Sequence, residues 1–204
     1  MDWAMTQNNL GTALQELGRR EGDTARLQQA IDAYKDSLTV RTAKAAPMGW
    51  ARTQNNLGNA LQELGTREGD TARLHQAIAA YQAALTIRTP KAAPMDWATT
   101  QSNLAIAYLT LHDLDQRADW LDKAKAAFDS ALTLRTRQAA EYLWADSYGG
   151  LGKVSLAQFR LTGNRPDLAQ ARSYLTEARV VFALDPNNVT LQDFDHSLTQ
   201  IDAA

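Results

Sequence analysis

WARTQNNLGNALQELG, residues 50–65, sets two asparagines, Asn55 and Asn56, in the middle of an otherwise strongly helical run. Asn is a poor interior helix residue because its short amide competes for neighbouring backbone groups, so the doublet implies a compensating partner outside the helix. Around it, Trp50, Leu57, Leu61 and Leu64 fall within one narrow arc of a 3.6-residue wheel. Pro47 suits the first turn, and Gly65 reads as the stop. Asp70 then N-caps a second helix, whose stripe is Leu74, Ile78, Tyr81 and Leu85 and which is expected to reach Arg88.

This pair of helices is a repeated unit. Trp3, Trp50, Trp97 and Trp144 stand 47 residues apart, and residues 2–48 agree with 49–95 at 36 of 47 positions. The expected domain is one array over 1–204, with units 1–48, 49–95, 96–142 and 143–188. DPNN at 185–188 precedes Leu191, Phe194, Leu198 and Ile201, an amphipathic helix over 189–202 that would cap the last unit. A hairpin cannot bury both stripes alone, so neighbours must stack, and the face ahead of the first unit is left open. Trp3, Trp50, Trp97 and Trp144 are expected in the core between units. Arg41, Arg88 and Arg135 recur at the second helix's end, where a cation suits the carbonyl end of the dipole, and read as solvated charges.

The order Leu57, Gly58, Leu61, Ala77, Tyr81, Ala84, Pro90 resembles the tetratricopeptide repeat, whose usual unit is about 34 residues. The resemblance implies an all-α, right-handed solenoid of stacked antiparallel hairpins, here with both helices longer. It also implies a protein-interaction scaffold, because Asn at positions matching Asn9, Asn56 and Asn103 grips peptide backbone in several members.

On the wheel, at about 100° per residue from Leu57, Asn55 and Asn59 point away from the leucine arc. Arg52 and Gln62 flank them, and Asn56 and Glu63 lie toward one edge. The first unit supplies Asn8, Asn9 and Thr12, the third Asn103, Ile106 and Leu109. These twelve residues are the expected concave groove for an extended partner segment, since carboxamides both donate to and accept from a main chain. The same amides could instead bridge adjacent helices. Ile106, Leu109 and Leu156 make the groove's later part apolar, either as an anchor or as packing under the last helix. The fourth unit carries Gly149 and Gly150 in place of the doublet, which requires a bend or a very close neighbour. Lacking the linker proline, the third unit's second helix is expected to run on.

Net charge is −2 with both signs interspersed, which leaves no basic footprint for nucleic acid or anionic lipid. The start MDWAMTQNN lacks the pattern of a secretory signal and no stretch reaches membrane-span length, so a cytoplasmic address is the default expectation. With no cysteine, disulfide and thiol chemistry are excluded. His75, His112 and His196 occupy unrelated repeat positions and read as surface or cap residues. Neither a phosphate-cradling loop, an HExxH pair nor a nucleophile elbow is present, so no enzyme, cofactor or metal site is expected. The partner is expected to be a protein or peptide. Two other readings stay open: an array that self-assembles through its N-terminal face, and the sensor segment of a larger signalling or effector protein.

Overall fold

The computed structural model describes residues 2–183 and 188–204; Asp185, Pro186 and Asn187 of the DPNN stretch lie outside the described residues. Nine α-helices, and no strand, occur among the described residues: α1 (Asp2–Glu21), α2 (Thr24–Val40), α3 (Pro47–Glu68), α4 (Thr71–Leu85), α5 (Pro94–Asp115), α6 (Ala118–Leu132), α7 (Glu141–Thr162), α8 (Arg165–Phe182) and α9 (Val189–Asp202). They form four hairpins, α1–α2, α3–α4, α5–α6 and α7–α8. Each second helix packs on the next hairpin's first helix, and the first helices touch in series from α1 to α9. The architecture is an all-α solenoid.

Local chemistry explains the turns. Asp23 accepts hydrogen bonds from the backbone N–H of Ala25 and Arg26, and Asp70 does the same for Ala72 and Arg73, so α2 and α4 begin on true side-chain caps. The stop is one turn later than expected: α3 runs through Gly65 to Glu68, and Gly69 ends it with φ 64°. Gly65 is needed for closeness instead, because a Cβ there would lie 3.1 Å from both the Asp70 carbonyl and the Arg73 side chain. In the third hairpin Gln116 takes the left-handed cap conformation (φ 57°), a strained choice for a residue with a Cβ, and its amide bonds back to the His112 and Asp113 carbonyls. Without a linker proline, α6 still ends at Leu132. Ala140 adopts the same extended backbone (φ −158°) as Ala46 and Ala93 before their prolines.

The core is a continuous seam. Leu27, Ile31, Leu64, Leu74, Leu111 and Leu121 are fully enclosed, each contributing about 1.5–3 kcal/mol by leaving water. Tyr34 lies over Gly11 and Tyr81 over Gly58, where a Cβ would come within 2.7 and 2.5 Å of the ring. The tryptophans are not in that seam, contrary to expectation: Trp3 is 49% exposed, and Trp50, Trp97 and Trp144 are half-buried. The residue after each of them, Ala4, Ala51, Ala98 or Ala145, takes the interior position, because the helices there approach too closely for a larger side chain. Trp144 instead stacks on Tyr148 at the edge (4.7 Å between ring centres).

α9 stays in register with the array. Leu191 and Leu198 stand 47 residues after Trp144 and Leu151, and the helix lies on α7 and α8 with Leu191, Phe194 and Ile201 buried. It therefore occupies the place of a fifth hairpin's first helix. Lys153 pairs with Asp193, Arg179 with Asp195, and Arg160 with Gln200, which ties α9 down at its polar edges.

Candidate functional site: the concave groove and the junctions beneath it

The first asparagine of each doublet belongs to a junction between hairpins. Asn8 and Asn55 are 4% and 5% exposed, so their expected place in the groove is corrected. Thr53 Oγ1 donates to Asn8 Oδ1 (3.0 Å), and Thr100 Oγ1 donates to Asn55 Oδ1 (3.0 Å). In the next junction Ser102 and Ser147 make the equivalent bond at 2.8 Å. The physical reason is that a first helix in the stack has two buried sides, one against second helices and one against the following first helix. The wheel position opposite the leucines meets the neighbour before it meets solvent.

The recurrent arginines close the same junctions, which corrects their reading as solvated ends. Arg41 donates to Thr53 Oγ1 (3.3 Å), Arg88 to Thr100 Oγ1 (3.0 Å), and Arg135 to Ser102 and Ser147 (2.7 and 2.8 Å). All three are at most 8% exposed, and burial lowers each guanidinium's pKa from its ordinary value. An arginine stays charged regardless, so hydroxyl and amide oxygens must satisfy it. Arg88 gains a further contact to Asp96 at 3.8 Å, while Nε of Arg88 and Arg135 finds no partner.

The fourth junction replaces every member of this set. At the Asn8 position stands Gly149, at the Thr53 position Phe194, and at the Arg41 position Phe182. A Cβ on Gly149 would sit 2.1 Å from the Phe194 ring, and Phe182 meets Phe194 edge-on at 5.9 Å. Gly150, at the second-asparagine position, leaves room for Phe128, whose ring would lie 2.3 Å from a Cβ there. Both glycines thus answer to a close neighbour.

The second asparagine faces outward. Thr12, Asn56, Asn59, Gln62, Glu63 and Asn103 line a concavity of about 740 Å³ floored by Tyr34 and Tyr81. Six of the twelve expected groove residues therefore meet there. Tyr81 OH lies 2.8 Å from Asn59 Oδ1 and 2.9 Å from Gln62 Oε1, and Tyr34 OH lies 3.2 Å from Thr12 and 3.1 Å from Gln15. Burial pushes the Tyr81 phenol well above its ordinary pKa, so it remains a neutral donor. Asn103 Nδ2 donates to Asn59 Oδ1 at 2.9 Å, which crosses from one hairpin to the next. Glu63 pairs with Arg67 at 2.7 Å, and Arg67 also donates to the Gly18 and Arg19 carbonyls at the end of α1. The walls are therefore charged but locally neutral.

The remaining expected residues lie elsewhere. Asn9 is exposed and accepts weakly from Asn8 (3.4 Å), while Arg52 is exposed near Arg41 and Arg88. Ile106 is 36% exposed, whereas Leu109 and Leu156 line a separate pocket of about 160 Å³ beside α9 with Asp113 and Lys153. Leu156 is almost wholly enclosed, so it packs under the last helix rather than standing open as an anchor. Tyr81, which with Tyr34 floors the groove, was expected only in the core stripe. Their signal was their co-change with polar partners: Tyr81 goes with Asn59 and Gln62, and the matching Phe128 goes with Ile106 and Leu109.

Contacts also place Trp120 and His112. Trp120 packs on the hairpin turn, donating to Asp115 (2.9 Å), stacking on Tyr108 and lying under Lys123. His112 is buried rather than on the surface, with Nδ1 3.0 Å from the Arg117 carbonyl. Among the described residues no group of three or more His, Asp or Glu could hold a metal ion, and no helix is long and apolar enough to cross a membrane.

A solenoid of helical hairpins with a polar concave groove defines the class. A family model for the tetratricopeptide repeat matches residues 3–38 and 50–86, the segments that fold as α1–α2 and α3–α4. These two hairpins match tetratricopeptide repeats, which generally mediate protein–protein interaction and are typically non-catalytic scaffolds. No curated protein matches it in sequence.

Proposed function

We propose that the groove over α1, α3 and α5 holds an extended segment of a partner protein through its main chain. The observation that carries this reading is the row of side-chain amides on a rigid floor. Asn59 and Gln62 are held by Tyr81, Asn103 by Asn59 and Asn56 weakly by Asn8, yet Asn56 Oδ1, Asn103 Oδ1 and Gln62 Nε2 have no partner among the described residues. Acceptors and a donor held ready on rigid helices suit a peptide backbone, which presents both N–H and C=O along its length. Preorganisation matters because ordering loose side chains on binding would cost affinity.

The neutral, ion-paired walls favour no particular charge on the partner, so recognition rests on hydrogen bonding and shape. A random dodecapeptide library displayed on phage and panned against the intact chain supplies the probe. Enriched peptides should bind the native chain and lose binding to Asn56→Ala/Asn103→Ala, with unchanged circular dichroism. Equal binding by the double variant, or no enrichment at all, would overturn the groove reading.

A further inference from the structure

One position on the concave face turns apolar where packing does not require it. Thr12, Asn59, Ile106 and Lys153 stand 47 residues apart, and the matching floor residues are Tyr34, Tyr81, Phe128 and Leu175. Thr12 and Asn59 meet the hydroxyls of their tyrosines, so a polar residue is called for in the first two hairpins. Phe128 has no hydroxyl and lifts that demand. Leu175, fully enclosed, lifts it equally, yet the fourth hairpin carries Lys153 there. An apolar floor therefore permits an apolar residue at this place without requiring one. Ile106 is nonetheless aliphatic and 36% exposed. Nor does it stand alone: Leu109, one turn on, replaces Gln15 and Gln62, and it opens onto the recess of about 160 Å³ backed by Leu156 and Ala157. α9 encloses Leu156, the counterpart of Leu109 in the fourth hairpin, whereas Leu109 is left half-buried.

We infer that Ile106 and Leu109 receive one aliphatic side chain of the extended segment and so fix its register, an inference that rests on the groove reading above. Amides alone would let the segment slide, because each peptide group resembles the next. A single apolar contact selects one register. Neighbouring first helices lie about 8–10 Å apart and an extended chain advances about 3.3 Å per residue, so each hairpin spans about three residues of the segment. Asn56 and Asn103 thus meet peptide groups about three residues apart. Ile106 follows Asn103 by one turn of α5, which assigns the anchor to the residue gripped by Asn103 or to its immediate neighbour. Charge favours an aliphatic occupant. At the rim of the recess two carboxyls, Asp113 and Asp193, stand against two cations, Lys153 and Arg160; Lys153 is paired with Asp193, Arg160 is bonded to Gln200, and Asp113 lies in the field of both cations. The balance leaves shape and apolar contact to discriminate.

The dodecapeptide library supplies the probe. Peptides enriched on the intact chain should share one aliphatic position, and a synthetic consensus peptide should lose about tenfold in affinity when that residue is replaced by Ala. Ile106→Thr takes the residue of the first hairpin, keeps the branched shape and lies at an exposed site. With unchanged circular dichroism it should bind the consensus peptide about tenfold more weakly and be indifferent to the Ala replacement, whereas Ile106→Val should keep the preference. Enriched peptides without a common aliphatic position, an Ala replacement that the native chain does not register, or one that the native chain and Ile106→Thr register equally would each overturn the inference. The groove reading survives all three results so long as Asn56→Ala/Asn103→Ala loses binding. If nothing is enriched, or that double variant binds normally, the groove reading falls and takes this inference with it.

Discussion

The first three junctions of the array and its last solve one packing problem with opposite chemistry. Between the first four hairpins, a side chain on one first helix meets a hydroxyl on the next, and an arginine from the linker end binds that hydroxyl: Asn8, Thr53 and Arg41; Asn55, Thr100 and Arg88; Ser102, Ser147 and Arg135. Beneath α9 the same three places hold Gly149, Phe194 and Phe182, a ring seated in a hole and braced by a second ring. A buried polar set is useful only when complete, because each unmatched member costs more than its bond returns. The sequence therefore changes all three positions together. The floor of the concave face follows the same rule: Tyr81 goes with Asn59 and Gln62, and Phe128 with Ile106 and Leu109.

This contrast can be broken from the apolar side first. Phe194→Ala should cost about 3–5 kcal/mol, read by denaturant unfolding, and should raise amide exchange throughout α9, since the ring fills the space Gly149 leaves. Adding Gly149→Ala to that variant should recover part of the loss, although Gly149→Ala alone is destabilising. The sign of that coupling is the sharper test.

In the polar junctions, Thr100→Val leaves Asn55 Oδ1 and the Arg88 guanidinium short of a partner and should cost about 1–3 kcal/mol. On the groove floor the two exchanges should be unequal. Tyr81→Phe removes one hydroxyl and should cost about 1 kcal/mol, whereas Phe128→Tyr sets a hydroxyl against Ile106 and Leu109 and should cost about 1–3 kcal/mol. Thermal unfolding of both variants reads the difference.

The smallest effect concerns pH. Burial raises the Asp146 carboxyl above its ordinary value of 3.8, more than Arg135 and Lys153 lower it. The folded state thus holds that proton more tightly than the unfolded chain, and stability should fall as pH rises from 3.8 through the raised value. Asp146→Asn should flatten that stretch of the stability–pH curve.

Much of the fold was legible because a 47-residue period and a leucine arc report helix pairing whatever the neighbours do. The Asp70 cap was readable for a similar reason, since capping is local chemistry. The division within the doublet was not. A wheel drawn on one helix separates core from surface, but a stacked helix has a second buried side, and nothing within residues 50–65 distinguishes Asn55 from Asn56 on that account. Arg88 misled for a related reason: at a helix end its charge has a sufficient local explanation, so Thr100, twelve residues on, goes unsought. Trp50 misled through size, because the closest helix approach selects Ala51 instead. A signal was nonetheless present in the joint replacement of Asn, Thr and Arg by Gly149, Phe194 and Phe182, which marks three positions as one site.

The central claim is that adjacent asparagines do different work, the first locking hairpins together and the second facing a partner. Denaturant unfolding of Asn55→Ala beside Asn56→Ala tests it most directly. Asn55→Ala should lose about 1–3 kcal/mol by removing the buried acceptor that Thr100 and Asn103 share, whereas Asn56→Ala should stay within about 0.5 kcal/mol of the native chain, its weak 3.4 Å bond to Asn8 offset by the better helix propensity of alanine. Equal losses at the two positions, or a neutral Asn55→Ala, would contradict it.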